Sequence, residues 1–577
     1  MWARDQKSSK RTKLLRGKFK LNPNKIVFTD FQTRFLDASL QVSGTLYDYQ
    51  RGFEKAELDF SGRVTPKDVQ WLSDFLAMER SIQVRSPIRV SKAHLSWRKG
   101  AETTFKGDLA MLNGPEISLD VFRNSKELRI NNLVIHDEIS HAAIGLDLKG
   151  QRIGLAFSGD LSERTLDKIF SGYQFQGGWL KGDFRATLLM DQLMQSTVQG
   201  RLEAKDLSIP WQLEKPLKID TLSLTGDGNH ISITEARFAW GEMPFVLSGD
   251  VSFSGKSVLL DVNLSTESVD LDQVTKSLRK GKNGKGAQDL SNLRVEGTIR
   301  FKSSSLKYER FIWEPFRADI TFGQDGVEVN IEEAKLCGVS TPGVVKVNDQ
   351  GMSLDVRPVF RSRELGPMVK CLPDQEVRAT GDFDFRGRIF AQGKPEDLMN
   401  TLRGDVELQA KEGRIYYWNT LFRILELLNI TEVYKGKLPN LKKEGLAYKL
   451  ATMKGSFQNG KLIIKEATLD GPTLEMAGPG EIDLAEGKVN LTVLVAPLKT
   501  VDRIIKLTPL VNHILAGTLV TVPVRVGGDL KDPKVTLLSP SAVGSEVLEI
   551  MKRTIGLPFK VIEPLRPRKK EKSGEGR

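Results

Sequence analysis

Eight times along this chain a glycine opens a run in which apolar and polar residues alternate. The runs begin Gly107-Asp108-Leu109, Gly182-Asp183-Phe184, Gly249-Asp250-Val251, Gly297-Thr298-Ile299, Gly381-Asp382-Phe383, Gly404-Asp405-Val406, Gly480-Glu481-Ile482 and Gly528-Asp529-Leu530. Period-2 alternation sends successive side chains to opposite faces of a strand, so each run has one apolar face and one wet face. Many such runs joined by turn signals predict a mainly β fold built on a long, twisted antiparallel sheet. What covers the continuous apolar face is the functional question.

At 577 residues the chain exceeds one ordinary core, and length alone suggests about three to five domains. No Pro/Ser-rich linker divides it. The sharpest break is Arg279-Lys280-Gly281-Lys282-Asn283-Gly284-Lys285-Gly286, which reads as an exposed loop over 279–286. A quasi-one-dimensional array, each unit stacked on its neighbours, fits a chain without linkers.

The net charge is +12, and much of the excess lies at the ends. Lys7, Lys10, Arg11, Lys13, Arg16, Lys18 and Lys20 stand at the start; Arg566, Arg568, Lys569, Lys570 and Lys572 stand at the finish. Aromatics are not interleaved with them, so no base-stacking platform is evident and nucleic acid is not the expected partner. The ends read as solvated tails, or as contacts to anionic headgroups at a membrane surface. There is no 18-residue apolar run, and Met1-Trp2-Ala3-Arg4-Asp5-Gln6-Lys7 lacks the apolar core of a signal peptide. The expectation is a soluble chain that is either cytoplasmic or the downstream part of a longer, anchored protein. Cys337 and Cys371 have no Cys-x-x-Cys spacing and no neighbouring histidine, which excludes a structural zinc site. They read as buried free thiols or as a disulfide.

Alternation is cleanest at Val258, Leu260, Val262 and Leu264; at Val406, Leu408 and Ala410; at Val489, Leu491, Val493 and Val495; and at Val520, Val522, Val524 and Val526. Asn459-Gly460 predicts a two-residue hairpin turn leading into Leu462 and Ile464, and Glu486-Gly487 closes another hairpin. Pro523 argues for an edge strand or a bulge. A few short amphipathic helices interrupt the array: one from Thr65-Pro66, one capped by Ser162, and others over 270–278, 418–429, 501–516 and 545–554.

Catalytic motifs fail on inspection. Gly455-Ser456-Phe457-Gln458-Asn459-Gly460-Lys461-Leu462 lacks the hydroxyl that holds magnesium, and a strand follows instead of a helix. His136 and His141 are five apart, without the helical i, i+4 geometry of a zinc protease, and read as a polar turn. Nothing assembles a nucleophile, a base and an orienter, so the reading is a non-enzyme with no cofactor or metal.

From about Cys337 onward the chain resembles the AsmA-like family, specifically the C-terminal domain of YhdP/TamB-type bridge-like lipid-transfer proteins of Gram-negative envelopes. The residues that carry this run in family order. They are Leu336-Cys337-Gly338, Cys371-Leu372, Thr380-Gly381-Asp382-Phe383, Leu402-Arg403-Gly404-Asp405-Val406, Glu412-Gly413-Arg414-Ile415 and the helix Leu421 to Asn429. Gly480-Glu481-Ile482-Asp483-Leu484, Val495-Ala496-Pro497-Leu498 and Gly527-Gly528-Asp529-Leu530-Lys531-Asp532-Pro533-Lys534-Val535 follow. On this reading 1–336 is a repetitive β-groove region, 337–540 the AsmA-like domain, and 541–577 an amphipathic helix with a basic tail.

The resemblance implies a taco-like hydrophobic groove in the periplasm, associated with the inner membrane, that serves phospholipid transfer and outer-membrane biogenesis. Its partners would be phospholipid acyl chains, the membrane surface through the termini, and other envelope proteins. It also implies a Cys337–Cys371 disulfide. The expected lining is Val258, Leu260, Val262, Leu264, Val406, Leu408, Leu462, Ile464, Val489, Leu491, Val493, Val495, Val522 and Val524. A phospholipid in water exposes about 30 methylenes, roughly 25 kcal/mol of hydrophobic cost, which a dry trough removes without chemistry. About 30 strands at about 4.8 Å would extend roughly 140 Å. The alternative is a β-solenoid or sandwich scaffold whose apolar face is sealed and which mediates protein–protein interactions in the envelope.

Overall fold

The computed structural model describes residues 2–4, 11–75, 83–171, 175, 177–208, 217–281, 294–309, 311–364, 378–427, 441–497, 519–555 and 559–561. The fold is mainly β with few helices, as the alternation predicts. The chain divides into two compact units, Met1–Val269 with Gln273–Phe301, and Asp270–Asp272 with Lys302–Arg577. The sequence-based boundary at 336/337 falls within the second unit.

In the first unit consecutive strands pair antiparallel, hairpin after hairpin, from Arg11–Asn22 to Ser257–Asp270. Part of the basic N-terminal stretch is therefore strand, not tail. There Phe19 and Leu21 alternate with Lys18 and Lys20, and Phe19 and Leu21 lie opposite Phe28 and Ile26. Loops leave the sheet at two edges. One edge carries tight turns at 99–101, 125–126 and 150–151; the other carries the helices Pro66–Phe75 and Glu163–Ile169.

Both helices start where their caps direct. Asp68 accepts from the Thr65 backbone N–H at 2.8 Å and from its hydroxyl at 2.6 Å, and Ser162 accepts from the Arg164 N–H at 3.2 Å. Seven of the eight glycines that open the repeats mark a close approach, Gly528 being the exception, and Gly159 does the same. Gly159 and Gly182 are direct cross-strand partners with φ of 103° and 144°. A Cβ at either would overlap a neighbouring carbonyl oxygen, that of His141 or of Arg201. Only glycine fits there, and such positions let a sheet coil strongly.

The second unit is also antiparallel from Phe311–Gly323 to Leu519–Asp529, but its order is not wholly consecutive: Gly326–Leu336 pairs with both Val339–Ser340 and Gly343–Asn348, and Arg378–Gly393 with both Gly351–Val356 and Val359–Glu364. Leu519–Asp529 and Phe559–Val561 pair parallel. Asn459 and Gly460, both with positive φ, form the expected two-residue turn between Gln458 and Lys461. The Gly487 hairpin is a four-residue loop, 484–487, because Asp483 Oδ1 accepts from the Ala485 and Glu486 N–H groups. Pro523 sits inside a strand paired on both sides, at the gap between two short neighbours, Lys534–Leu537 and Phe559–Val561. Its carbonyl accepts from Leu538 N on that side. Its missing N–H, which points the same way, falls in the gap.

The helices Leu271–Gly281, Asn419–Leu427 and Ser545–Ile555 stand where expected, but the first continues through Arg279, Lys280 and Gly281, which the sequence assigned to the exposed loop. The helix expected over 501–516, most of the 279–286 loop, Cys371 and the C-terminal basic tail lie outside the described residues.

Candidate functional site

On the inner face of the first unit the register brings eight apolar residues into one row across eight strands. Leu58, Leu95, Phe105, Val121, Ile130, Leu146, Leu155 and Ala186 are successive direct cross-strand partners. Seven are half-buried, and Leu155 is 42% exposed. At about 4.8 Å per strand the row runs roughly 34 Å, comparable to the ~30 Å hydrocarbon core of a bilayer. The next row inward holds Ala93, Gly107, Leu119, Leu133, Ile144, Phe157 and Phe184, of which Ala93, Gly107, Phe157 and Phe184 are buried. None of the eight is among the residues expected to line a groove. Short alternations such as Leu128/Ile130, Leu146/Leu148 and Ile153/Leu155 carry the signal. A bulge that sets Asn131 and Asn132 against Gly145 hides the register.

Towards the helical edge this face is roofed. Val69 of one helix and Leu166 and Ile169 of the other pack with Met111, Ile135, Ala142, Phe157 and Leu161. The second helix is tied to the 137–140 turn. Asp137 accepts from Lys168 Nζ at 2.9 Å, from the Thr165 hydroxyl at 3.0 Å, and from the N–H groups of Ile139 and Ser140. Burial pushes the Asp137 carboxyl up, but these hydrogen bonds outweigh it and hold it below the usual aspartate range.

The expected residues of Ser257–Asp270 lie on the same face. Val258, Leu260, Val262 and Leu264 stand opposite Phe253, Val251, Gly249 and Leu247. Val262 is buried, and Val258 packs beside Phe184, Leu193, Val198 and Phe253.

In the second unit the expected residues also form rows. Val406, Ile464 and Leu491 share one, with Gly455 and Gly480 between them. Leu462 and Val489 share the next through Ile482. Val495 pairs with Val522, Val493 with Val524, and Leu408 with Phe385 and Met453. Here the protein's own residues cover part of the face. Leu421, Ile424 and Leu425 of Asn419–Leu427 pack with Met476, Val489, Val495 and Val524, and Leu491 and Val493 lie against the same cluster. Each such side chain contributes roughly 1.5–3 kcal/mol on burial. Arg423 clamps this helix, donating at 2.6 Å to the Asp532 carboxylate and at 2.6 Å to the Pro533 carbonyl. On the opposite face, Val547, Ile550 and Met551 of Ser545–Ile555 pack on Ala477, Leu494 and Ala496, so that helix spends its apolar stripe on the sheet.

The arrangement explains several motifs quoted for the resemblance. Tyr448 reaches from its strand to the Thr380 carbonyl, and a Cβ on Gly381 or Gly413 would overlap its hydroxyl. Arg423 joins the 421–429 helix motif to Asp532-Pro533. Cys337 is disulfide-bonded, and Cys371, the chain's other cysteine, lies outside the described residues.

Nothing catalytic assembles where the sequence offered near-motifs. Gly455 to Leu462 is strand, turn and strand. His136 and His141 face each other across a hairpin, with their Nδ1 atoms 3.1 Å apart. Among the described residues no group of three His, Cys, Asp or Glu could hold a metal ion, and no helix is long and apolar enough to cross a membrane.

Residues 374–535 match the family model described as YhdP protein. Over these residues the chain is similar to the YhdP family. That family is AsmA-like and TamB-type, as the ordered motifs imply, and its theme is the envelope. It is not known for enzymatic activity. The YhdP match takes in Tyr448, the Asn419–Leu427 helix and its Asp532-Pro533 anchor; the row from Leu58 to Ala186 lies outside it. No curated protein matches the chain.

Proposed function

We propose that this is a non-enzymatic envelope protein whose apolar sheet face carries phospholipid acyl chains between the inner and outer membranes. The observation that carries this reading is the row from Leu58 to Ala186. It presents apolar side chains that the protein's own residues leave half-covered, over a length suited to hydrocarbon. Exposing such a strip to water is unfavourable by about 25 cal/mol per Å², and a guest tail removes that cost. The YhdP match supports an envelope setting, and the oxidised Cys337 supports the periplasm, where disulfides persist. Direction would come from a lipid gradient or a partner.

The test is lipid capture. Protein purified from membranes should carry phospholipid detectable by mass spectrometry. A photo-crosslinking residue at Leu155 should form lipid adducts, while one at Asp183, on the wet face, should not. Lipid-free protein with no adduct at Leu155 would end the reading. A sealed scaffold is the second reading, favoured by the way the Asn419–Leu427 helix closes the face around Val495. It requires the same closure in the first unit, and there Leu155 remains open.

A further inference from the structure

We propose that Arg123 is a headgroup clamp: its guanidinium binds the phosphodiester of a glycerophospholipid whose tails lie along the row from Leu58 to Ala186. The proposal rests on the reading of that face as an acyl-chain site. Strand Glu116–Asn124 sends Ile117, Leu119, Val121 and Arg123 to the inner face, so a cation stands where the alternation calls for a fourth apolar residue. Among the inner-face ladder positions of the strands from Lys55–Val64 to Trp179–Leu189, Arg123 is the one charged side chain.

It sits at the rim, one position out from Val121 on the same face, with Thr103 and Leu128 as cross-strand partners; Trp97 pairs with Thr103 on the far side. Arg123 is exposed, and among the described residues no carboxylate lies within ion-pair distance of it. Glu127, which opens the next strand, faces the other way and is already engaged by Arg129 at 2.8 Å and Lys149 at 3.7 Å. Asn124 Oδ1 accepts from the Lys126 and Glu127 N–H groups at 2.8 Å each, which fixes the turn beside the arginine.

The chemistry fits an amphiphile. The arginine stem can lie on Val121 and Leu128 while its planar head reaches water and meets a phosphate with two parallel hydrogen bonds. Trp97, half-buried, offers the amphipathic ring suited to the boundary between hydrocarbon and headgroup. Thr103 leaves a notch between them about two strand spacings, roughly 10 Å, wide.

Two fluorescent probes with identical labelled tails, a phosphatidylglycerol and a diacylglycerol without phosphate, separate the clamp from the trough. Delipidated full-length protein should bind both. Arg123→Gln should weaken phosphatidylglycerol about tenfold and leave diacylglycerol unchanged, with Arg123→Lys in between. Unchanged phosphatidylglycerol binding by Arg123→Gln, or equal loss of both probes, overturns the clamp while the trough stands. Displacement of phosphatidylglycerol by millimolar inorganic phosphate reassigns Arg123 to a simple anion site and also overturns it. Wild-type protein that binds neither probe overturns the clamp and the trough together.

Discussion

The Tyr448 hydroxyl donates a 2.7 Å hydrogen bond to the Thr380 carbonyl, joining strands 68 residues apart in sequence. Burial, with the charge of Asp382 as a smaller contribution, pushes its pKa up to about 12, so the donor keeps its proton at any physiological pH. Gly413 leaves room for that hydroxyl and for the Thr380 carbonyl oxygen. Tyr448→Phe should cost about 1 kcal/mol, the net value of one hydrogen bond. Gly413→Ala, whose Cβ would overlap both the Thr380 carbonyl oxygen and the Tyr448 hydroxyl, should cost roughly 1–3 kcal/mol. Urea denaturation of the two variants checks the order, and a milder Gly413→Ala would show that the tyrosine is not what requires the glycine.

Placing a carboxylate on the apolar face should separate an open strip from a sealed one. Leu155→Asp, at a position already 42% exposed, should cost about 1 kcal/mol or less and abolish lipid loading. Val495→Asp, at a fully buried position beneath the Asn419–Leu427 helix, should cost several kcal/mol and unfold that region. Circular dichroism and lipid mass spectrometry on both proteins read the difference. Equal unfolding would mean that the first unit is sealed as well.

Acid should loosen the roof helix. Asp137 has a folded pKa below the ordinary value of 3.8, so its ion pair and hydrogen bonds contribute in full above that value. The contribution is lost as pH falls through the lower, folded value. Asp137→Asn should remove this part of the acid dependence and lower stability at neutral pH. Hydrogen exchange at residues 163–169 against pH reports it; identical acid limbs in the two proteins would exclude the role.

The cysteines should be oxidised in protein exported to the periplasm. Closing a loop of about 35 residues contributes roughly 3–4 kcal/mol in the chain-entropy account, so Cys371→Ser should lower stability by about that amount. Alkylation under denaturing, non-reducing conditions should modify neither position in the wild type. Modification at both would end the pairing of Cys337 with Cys371.

Much of this fold is legible in the residues themselves. Val258 to Leu264 and Val489 to Val495 alternate cleanly, Asn459-Gly460 names its own turn type, and Ser162 and Thr65 announce the helices they precede. The basic stretch from Arg11 to Asn22 misleads, because its charge masks the alternation of Phe19 and Leu21. What alternation cannot convey is whether a face is closed. Leu155 and Val495 belong to equally regular patterns, yet one meets solvent and the other a helix, because that depends on where a distant segment folds back. The lateral row is hidden for a related reason. Its members come from eight strands, and their alignment depends on bulges such as that at Asn131 and Asn132, which leave no local signature.

If the first unit carries lipid as proposed, its unequal edges bear on where a guest would enter. With helices folded over one side and tight turns along the other, the two flanks are not interchangeable doorways. A hydrocarbon guest entering sideways would cross the low sill of turns at 99–101, 125–126 and 150–151, the flank on which Arg123 stands.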